Sequence, residues 1–233
     1  MPVGALVNCA AVVLGGLLGS LVGDRLSEGL KETLTTVFGV CALTMGITSV
    51  VLMRNMPAVV FAVIVGTLLG ILLDLDGLIR KGTGKALDGL GLSIGGESEL
   101  MLTALVLFCA SGTGIYGSLV SGMTGDHSIL IAKSVLDFFT AMIFACRLKR
   151  AVCLIGVPQL AVMLLLFFGA RLILPLTTDT MIADFKAAGG VVLLATGFSI
   201  MGVKKTAVAN MIPAMVLAMP LSALWTNLLL PLL

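Results

Sequence analysis

Lys133 and Asp137 place two opposite charges four positions apart inside an apolar stretch. This spacing puts both side chains on one face of a helix. If the helix begins near Ser128, Asp137 lies roughly 14 Å along it, near the middle of a bilayer. Charges at that depth are costly and usually face a cavity or each other. Asp137 could hold a cation or a proton while Lys133 binds an anionic group or acts as a counter-ion; the alternative is a structural ion pair.

The segment before this pair is rich in glycine and small polar residues, with Ser111-Gly112-Thr113-Gly114 followed by 121–128. It predicts a membrane helix broken near its middle, with freed backbone groups. Such groups are tolerated at membrane depth only against protein or a wet cavity. Transporters bind substrate at broken helices near the midplane. A kinked helix followed by a tight turn is the alternative. The candidate substrate or ion residues are therefore Lys133, Asp137, Asp126, Ser111, Gly112, Thr113 and Gly114.

A second pattern is a repeat. Residues 39–46 are Gly-Val-Cys-Ala-Leu-Thr-Met-Gly, and 190–197, shifted by 151 positions, are Gly-Val-Val-Leu-Leu-Ala-Thr-Gly. An odd number of predicted crossings separates the copies, so they would have opposite orientations, as in transporters with inverted repeats. Thr48 and Ser199 occupy equivalent positions and are candidates for a symmetric site. The alternative is coincidence, because Gly, Ala, Leu and Val dominate membrane sequences.

The composition indicates a polytopic membrane protein. Of 233 residues, 59% are hydrophobic and 11% are charged, against about 25% charged in soluble domains. The net charge of +2 and the absence of basic runs with interleaved aromatics argue against nucleic-acid binding. Five cysteines form no C-x-x-C pair and there is one histidine, so we expect neither a metal nor a cofactor.

The sequence offers little support for an enzyme. Gly112, Gly114 and Gly117 match G-x-G-x-x-G, but a dinucleotide site requires a βαβ unit, which the membrane-spanning surroundings exclude. Neither a complete phosphate loop nor a G-x-S-x-G context is present.

The predicted fold is all-α, a single integral membrane domain (1–233) with about eight transmembrane helices. An inverted three-helix repeat (helices 1–3 and 6–8; segments 1–74 and 151–233) would flank a central helix pair, helices 4–5, within 100–146. An interfacial helix is expected over 75–98, and a shorter amphipathic piece over 178–187. The predicted spans are 3–23, 34–53, 57–74, 100–121, 128–146, 151–173, 188–203 and 208–230.

Lysine and arginine placement predicts the orientation. With the N-terminus outside, ten of these residues fall in inside loops and three in outside loops, as the positive-inside rule requires. Glycines recur every fourth position at Gly15, Gly19 and Gly23, and again at Gly66 and Gly70. Such stripes let helices approach closely, within a monomer or in a dimer. We expect a homodimer.

Two stretches resemble the bacterial inner-membrane family catalogued as domain of unknown function 554. They are Val3-Gly4-Ala5-Leu6-Val7-Asn8 with Gly15–Gly19, and Phe108-Cys109 through Gly117-Ser118, Thr124-Gly125-Asp126 and Ile131–Asp137. The family often has Gly-Pro after Phe-Cys and Gly after Leu-Asp, where this chain has Ala110-Ser111 and Phe138. The resemblance implies a bacterial plasma-membrane protein, transport-like and without an assigned solute. It places Asp126, Lys133 and Asp137 in the family signature.

These observations favour a small secondary transporter or channel-like permease for a small polar or charged solute, with the repeats alternating access around helices 4 and 5. The alternative is a non-transporting scaffold or partner-binding subunit, in which Lys133 and Asp137 only pair with each other.

Overall fold

The computed structural model describes residues 1–22, 27–89, 98–109, 111–204 and 206–232, and every regular element within them is helical. Gly23, Arg25, Ala110, Lys205 and the 90–97 part of the predicted interfacial helix lie outside these residues. The α-helices are α1 (Val3–Val22), α2 (Glu28–Val50), α3 (Met56–Leu72), α4 (Leu75–Gly89), α5 (Ser98–Cys109), α6 (Gly112–Thr124), α7 (Ser128–Leu148), α8 (Val152–Ile173), α9 (Asp179–Ile200) and α10 (Ile212–Leu224).

The chain divides into two compact units, each built from both halves of the sequence. Unit 1 comprises Met1–Val37 and Gly77–Leu172, and unit 2 comprises Phe38–Asp76 and Ile173–Leu233. The candidate charge pair lies in unit 1, and both copies of the repeated glycine motif lie in unit 2.

Among the described residues, five helical stretches are long and apolar enough to cross a membrane, or six if the bent pair α3–α4 is one span. One of the five, Ser128–Leu176, is 49 residues long and would measure about 74 Å if straight. The helical stretch is interrupted at Lys149, where φ is +52°. Gln159 then hydrogen-bonds back to Asp137, so α7 and α8 form an antiparallel hairpin of two helices with 21 and 22 residues.

The sequence prediction was wrong for residues 178–187, which do not form a separate amphipathic piece. They are the first turns of α9, a helix of 22 residues. Thr178 precedes it, and its hydroxyl accepts a hydrogen bond from the Met181 N–H, satisfying a free donor of the first turn. Asp184 lies inside the helix at 0% exposure, because several donors surround its carboxylate.

Unit 1 is assembled around α1, which packs against α7 and α8. Ideal Cβ atoms built on Gly15 and Gly19 would collide with the backbone of Phe138 and Met142, so α1 and α7 are parallel and in close backbone contact. Gly16 faces Cys153 in α8. Gly15 and Gly19 of the first glycine stripe therefore pack against helices of the same chain.

We predict that Gly15→Ala lowers the free energy of unfolding by about 1–3 kcal/mol, as overpacking typically does, because the new methyl group meets the Phe138 carbonyl. Gly169→Ala on α8 is the matched control, since no atom lies within 4 Å of its ideal Cβ and alanine favours helix. Thermal unfolding in detergent compares the two variants. Equal melting temperatures would contradict the observed α1–α7 packing.

Unit 2 brings the two copies of the repeated motif into contact. An ideal Cβ on Gly39 would lie 2.9 Å from the Gly197 carbonyl oxygen, and one on Gly46 would lie 2.9 Å from the Gly190 carbonyl oxygen. The two motifs therefore pack antiparallel, first glycine against last. Helices α3 and α10 are also antiparallel, because Gly66 faces Ala214 and Gly70 faces Asn210.

Candidate functional site

The predicted helix break is present in the middle of the α5–α6 segment. Helix α5 ends at Cys109 and α6 begins at Gly112. The Ser111 hydroxyl accepts a hydrogen bond of 3.1 Å from the Gly114 N–H. This capping of the first turn explains why the serine stands immediately before the glycines. The break places the N-terminus of a half-helix near the centre of the 98–124 segment.

Lys133 and Asp137 form a buried ion pair on α7. The Nζ atom of Lys133 lies 2.7 Å from Oδ1 and 2.6 Å from Oδ2 of Asp137. The two residues are 3% and 7% exposed. Asp137 is the tenth of the 21 residues of α7, so the pair lies near mid-helix as predicted. Its burial closes the pair off from solvent in this conformation.

Two amide side chains complete the cluster. Asn8 on α1 donates through Nδ2 to Oδ2 of Asp137 at 2.9 Å. Gln159 on α8 donates through Nε2 to the same Oδ2 at 2.9 Å and to Oδ1 of Asn8 at 2.7 Å. Both amides are 0% exposed. Three helices therefore hold one carboxylate, whose Oδ2 accepts three hydrogen bonds.

The cluster lies against the start of α6. An ideal Cβ on Gly114 would lie 3.1 Å from Cε of Lys133 and 3.5 Å from Cε of Met163. The ring centroid of Phe108 is 5.9 Å from Nζ of Lys133, within cation–π range. The ammonium group is thus bounded by its carboxylate, an aromatic ring and the first turn of a half-helix.

Two buried polar atoms of the described residues lack a hydrogen-bond partner, Oγ of Ser118 and Oε1 of Gln159. Most buried polar groups are paired, so each exception calls for an explanation. The Gln159 oxygen belongs to the amide that holds Asp137. Ser118 follows Gly114 by one turn of α6. Unit 1 therefore combines a closed ion pair with unused hydrogen-bonding capacity.

The other predicted site residues lie in different surroundings. Asp126 is exposed in the turn before α7, where Oδ1 accepts the Ser128 N–H at 2.9 Å. Thr113 is buried in the first turn of α6. Thr48 and Ser199 belong to unit 2; the Thr48 side chain is exposed and its hydroxyl donates to the Met45 carbonyl within its own helix. Ser111, Gly114, Lys133 and Asp137 are connected by direct contacts.

A second polar cluster, in unit 2, surrounds Asp184. Its Oδ1 accepts the backbone N–H groups of Arg54 and Asn55 at 2.7 and 3.0 Å. Its Oδ2 accepts from Asn55 Nδ2 at 2.9 Å and from the Ser222 hydroxyl at 2.6 Å. These donors stabilise the carboxylate. In the described part of the chain, no cationic group contacts it. Asn55 precedes α3 but makes no side-chain cap.

We predict that Asp184→Ala destabilises the protein by several kcal/mol, because each donor left unpaired in a buried site costs about 1–3 kcal/mol. Four donors lose this acceptor at once, and of these Asn55 Nδ2 keeps a second acceptor, the Thr226 hydroxyl. The matched control is Asp179→Ala in the exposed first turn of the same helix. Thermal unfolding would show a small shift for the control; an equally small shift for Asp184→Ala would contradict this interpretation.

Sequence reasoning did not identify Asn8, Gln159 or Asp184 as members of these clusters. One signal was available: Asn8 and Gln159 stand 151 positions apart, the shift that relates the two glycine motifs. A second regularity emerges from the contacts, since Asn8–Asp137 and Asn55–Asp184 are both separated by 129 positions.

Long apolar helices enclosing a buried charged and amide cluster define a polytopic helical membrane protein. The chain belongs to the family described as "Protein of unknown function (DUF554)", whose model matches residues 3–223. It is 50% identical over 231 residues to "Uncharacterized protein YqgA" of Escherichia coli (strain K12), covering 97% of this chain and 98% of that protein. It is 21% identical over 220 residues to "Uncharacterized membrane protein YdfK" of Bacillus subtilis (strain 168), covering 92% and 93%. No solved structure matches the chain significantly.

Proposed function

We propose that this protein is a small secondary transporter for a polar or charged solute, with its binding site at the Lys133–Asp137 pair and the start of α6. The observation that carries the proposal is the buried pair beside a helix broken in mid-span. Transporters place discontinuous helices at their binding sites, where a half-helix N-terminus and a charged side chain can share a ligand. A non-enzymatic role is part of this proposal.

The proposed architecture keeps eight spans and an inverted repeat, α1–α3 with α8–α10. Three contacts support it. The counterparts α2 and α9 pack antiparallel through matched glycines, and α3 packs antiparallel to α10 through Gly66 and Gly70. Asn8 on α1 hydrogen-bonds Gln159 on α8, its counterpart at the 151-position shift. Each helix of the first repeat therefore contacts its counterpart in the second repeat, as expected of helices related by a two-fold axis.

The proposed location is the bacterial plasma membrane with both termini outside, and the support is the ten-to-three bias of Lys and Arg between the predicted loops. We retain the homodimer as a proposal. Its support is weaker than the sequence suggested, because Gly15, Gly19, Gly66 and Gly70 pack against their own chain. The particle mass in lipid nanodiscs tests it, and a monomeric mass would overturn it.

The transport proposal is tested by a thermal-shift screen of small cations, anions and zwitterions on the purified protein. A ligand that binds only the native state raises the melting temperature by mass action. We expect one solute class to stabilise the native protein and not Lys133→Met. Thr140→Val, also on α7 but outside the polar cluster, should keep the response. Stabilisation that persists in Lys133→Met would contradict the assigned site.

A non-transporting scaffold is the second candidate. The observation that favours it is the completeness of the ion pair, in which both carboxylate oxygens already contact the ammonium group and the two residues are closed off from solvent. In this case no solute class shifts the melting temperature, and substitutions at the pair change stability alone.

A further inference from the structure

We propose that the site takes up one small monovalent anion together with one proton, with Lys133 holding the anion and Asp137 the proton. This inference rests on the proposed transport function and names its substrate class. The pair is almost completely buried, so the anion would have to be one of few atoms, such as formate or nitrate, that takes the place of the Asp137 carboxylate beside Lys133.

Charge balance couples the anion to the proton. In the closed site one ammonium group contacts one carboxylate, and the net charge is zero. An anion bound alone would leave a net negative charge, and a proton bound alone would leave the Lys133 ammonium group unpaired. Uncompensated charge is costly away from water. Because only joint binding preserves neutrality, each ligand favours the other, and this coupling is reciprocal.

The unpaired side-chain oxygen of Gln159 can serve the protonated form of Asp137. A carboxylate needs donors, which Asn8 Nδ2 and Gln159 Nε2 supply to Oδ2 of Asp137. A protonated carboxyl group has an O–H donor and needs an acceptor. The Oε1 atom of Gln159 is buried and without a partner, and a half-turn of the amide would present it to Oδ2. The cluster can thus offer donors to the carboxylate and an acceptor to the protonated acid, and the second arrangement gives up the hydrogen bond from Gln159 Nε2 to Asn8 Oδ1.

The groups around Lys133 can hold the anion. Once Asp137 is protonated, Lys133 can direct its N–H groups to another acceptor. Its Cε lies beside Gly114 in the first turn of α6. The Gly114 N–H is already bonded to the Ser111 hydroxyl, so the half-helix contributes through the partial positive charge of its N-terminus. The unpartnered hydroxyl of Ser118, one turn further along α6, offers another donor. An ammonium group, a half-helix N-terminus and a hydroxyl together make an anion site.

The remaining titratable groups on the helices packed around α7 do not duplicate the role of Asp137. The Cys9 and Cys153 thiols donate to backbone carbonyls, and the Cys109 thiol belongs to α5. The His127 imidazole hydrogen-bonds the Ser121 hydroxyl at 2.7 Å in the turn before α7. Within the described part of unit 1, Asp137 is the carboxylate in direct contact with Lys133.

The transport step balances as follows. On one side of the membrane the Asp137 carboxylate takes a proton from water, its contacts to Lys133 open, and the anion takes its place. On the other side the anion leaves, the proton returns to water, and the ion pair closes. One proton and one anion move together, so no net charge crosses the membrane.

The test uses proteoliposomes that contain a pH-sensitive dye, with nitrate as the probe and the membrane potential clamped by potassium and valinomycin. Adding nitrate outside should acidify the lumen, with less than a twofold change in initial rate between 0 and −100 mV. Labelled-nitrate exchange should persist in Asp137→Asn without acidification, because the amide imitates the protonated acid. Lys133→Met should lose both activities, and Thr140→Val should keep both.

The outcomes separate this inference from the function on which it rests. Nitrate uptake without proton movement, or with a rate that follows the membrane potential, overturns the coupling and leaves transport standing. Uptake of a cation instead of any small anion overturns the substrate class alone. Movement of no solute under any gradient overturns transport as well.

A second measurement applies even if Asp137→Asn is too unstable to reconstitute. In this variant Lys133 has lost its only hydrogen-bonding carboxylate within the described residues. Formate or nitrate should therefore raise the melting temperature of detergent-purified Asp137→Asn more than that of the native protein, at both pH 6 and pH 8. An equal or smaller shift in the variant would overturn the anion assignment.

Discussion

Lys133→Met is expected to lower the free energy of unfolding by about 3–5 kcal/mol, because removing one partner of a buried ion pair leaves the other charge uncompensated. The Asp137 carboxylate would keep its two amide donors but lose both contacts to the ammonium group. The double variant Lys133→Met/Asp137→Leu should recover most of this loss, since well-packed apolar residues often replace a buried pair without destabilisation. Chemical unfolding of the two single variants and the double variant measures the coupling.

This double-mutant cycle measures the coupling free energy between Lys133 and Asp137 independently of transport. Thr140→Val, on the same helix, serves as the control for a lost polar group, because its hydroxyl donates to the Leu136 carbonyl of its own helix. If the double variant lost the sum of the two single losses, Lys133 and Asp137 would not be coupled.

Gly114→Ala is expected to weaken solute binding by at least tenfold while costing little stability. The added methyl group would lie 3.0 Å from the Ser111 hydroxyl and 3.1 Å from Cε of Lys133, closer than most carbon contacts. Lys133 would have to shift by a few tenths of an ångström, and small displacements in a site can cost large factors in function. The measurement is the dissociation constant of the solute that stabilises the native protein.

The matched control for this change is Gly169→Ala on α8, where the same methyl group meets open space. The control should bind the solute as the native protein does. Unchanged affinity in Gly114→Ala would show that the first turn of α6 has no part in binding, and would place the site elsewhere along α7.

The sequence predicted the features that depend on local pattern. Apolar runs located the long helices, and the glycine-rich segment predicted the break that the structure has between Cys109 and Gly112. The four-residue spacing of Lys133 and Asp137 predicted two side chains within reach, and they pair directly. Each of these inferences needs only helix geometry and the length of a bilayer span.

The features that depend on tertiary contacts could not be predicted from the sequence. Asn8 and Gln159 are distant from Asp137 along the chain and meet it only because α1 packs beside α7 and α8 folds back. The 178–187 segment was misassigned because its charged residues suggested an interface. The donors that allow Asp184 inside α9 come from residues 54, 55 and 222, which no local pattern reveals.

The most direct test of the central claim compares solute uptake by the native protein and by Lys133→Met/Asp137→Leu in proteoliposomes, at a temperature where both are folded. The solute is the one that most stabilises the native protein in the thermal-shift screen. We predict uptake by the native protein and none above empty liposomes by the double variant. Equal uptake by both would contradict the claim that Lys133 and Asp137 form the transport site.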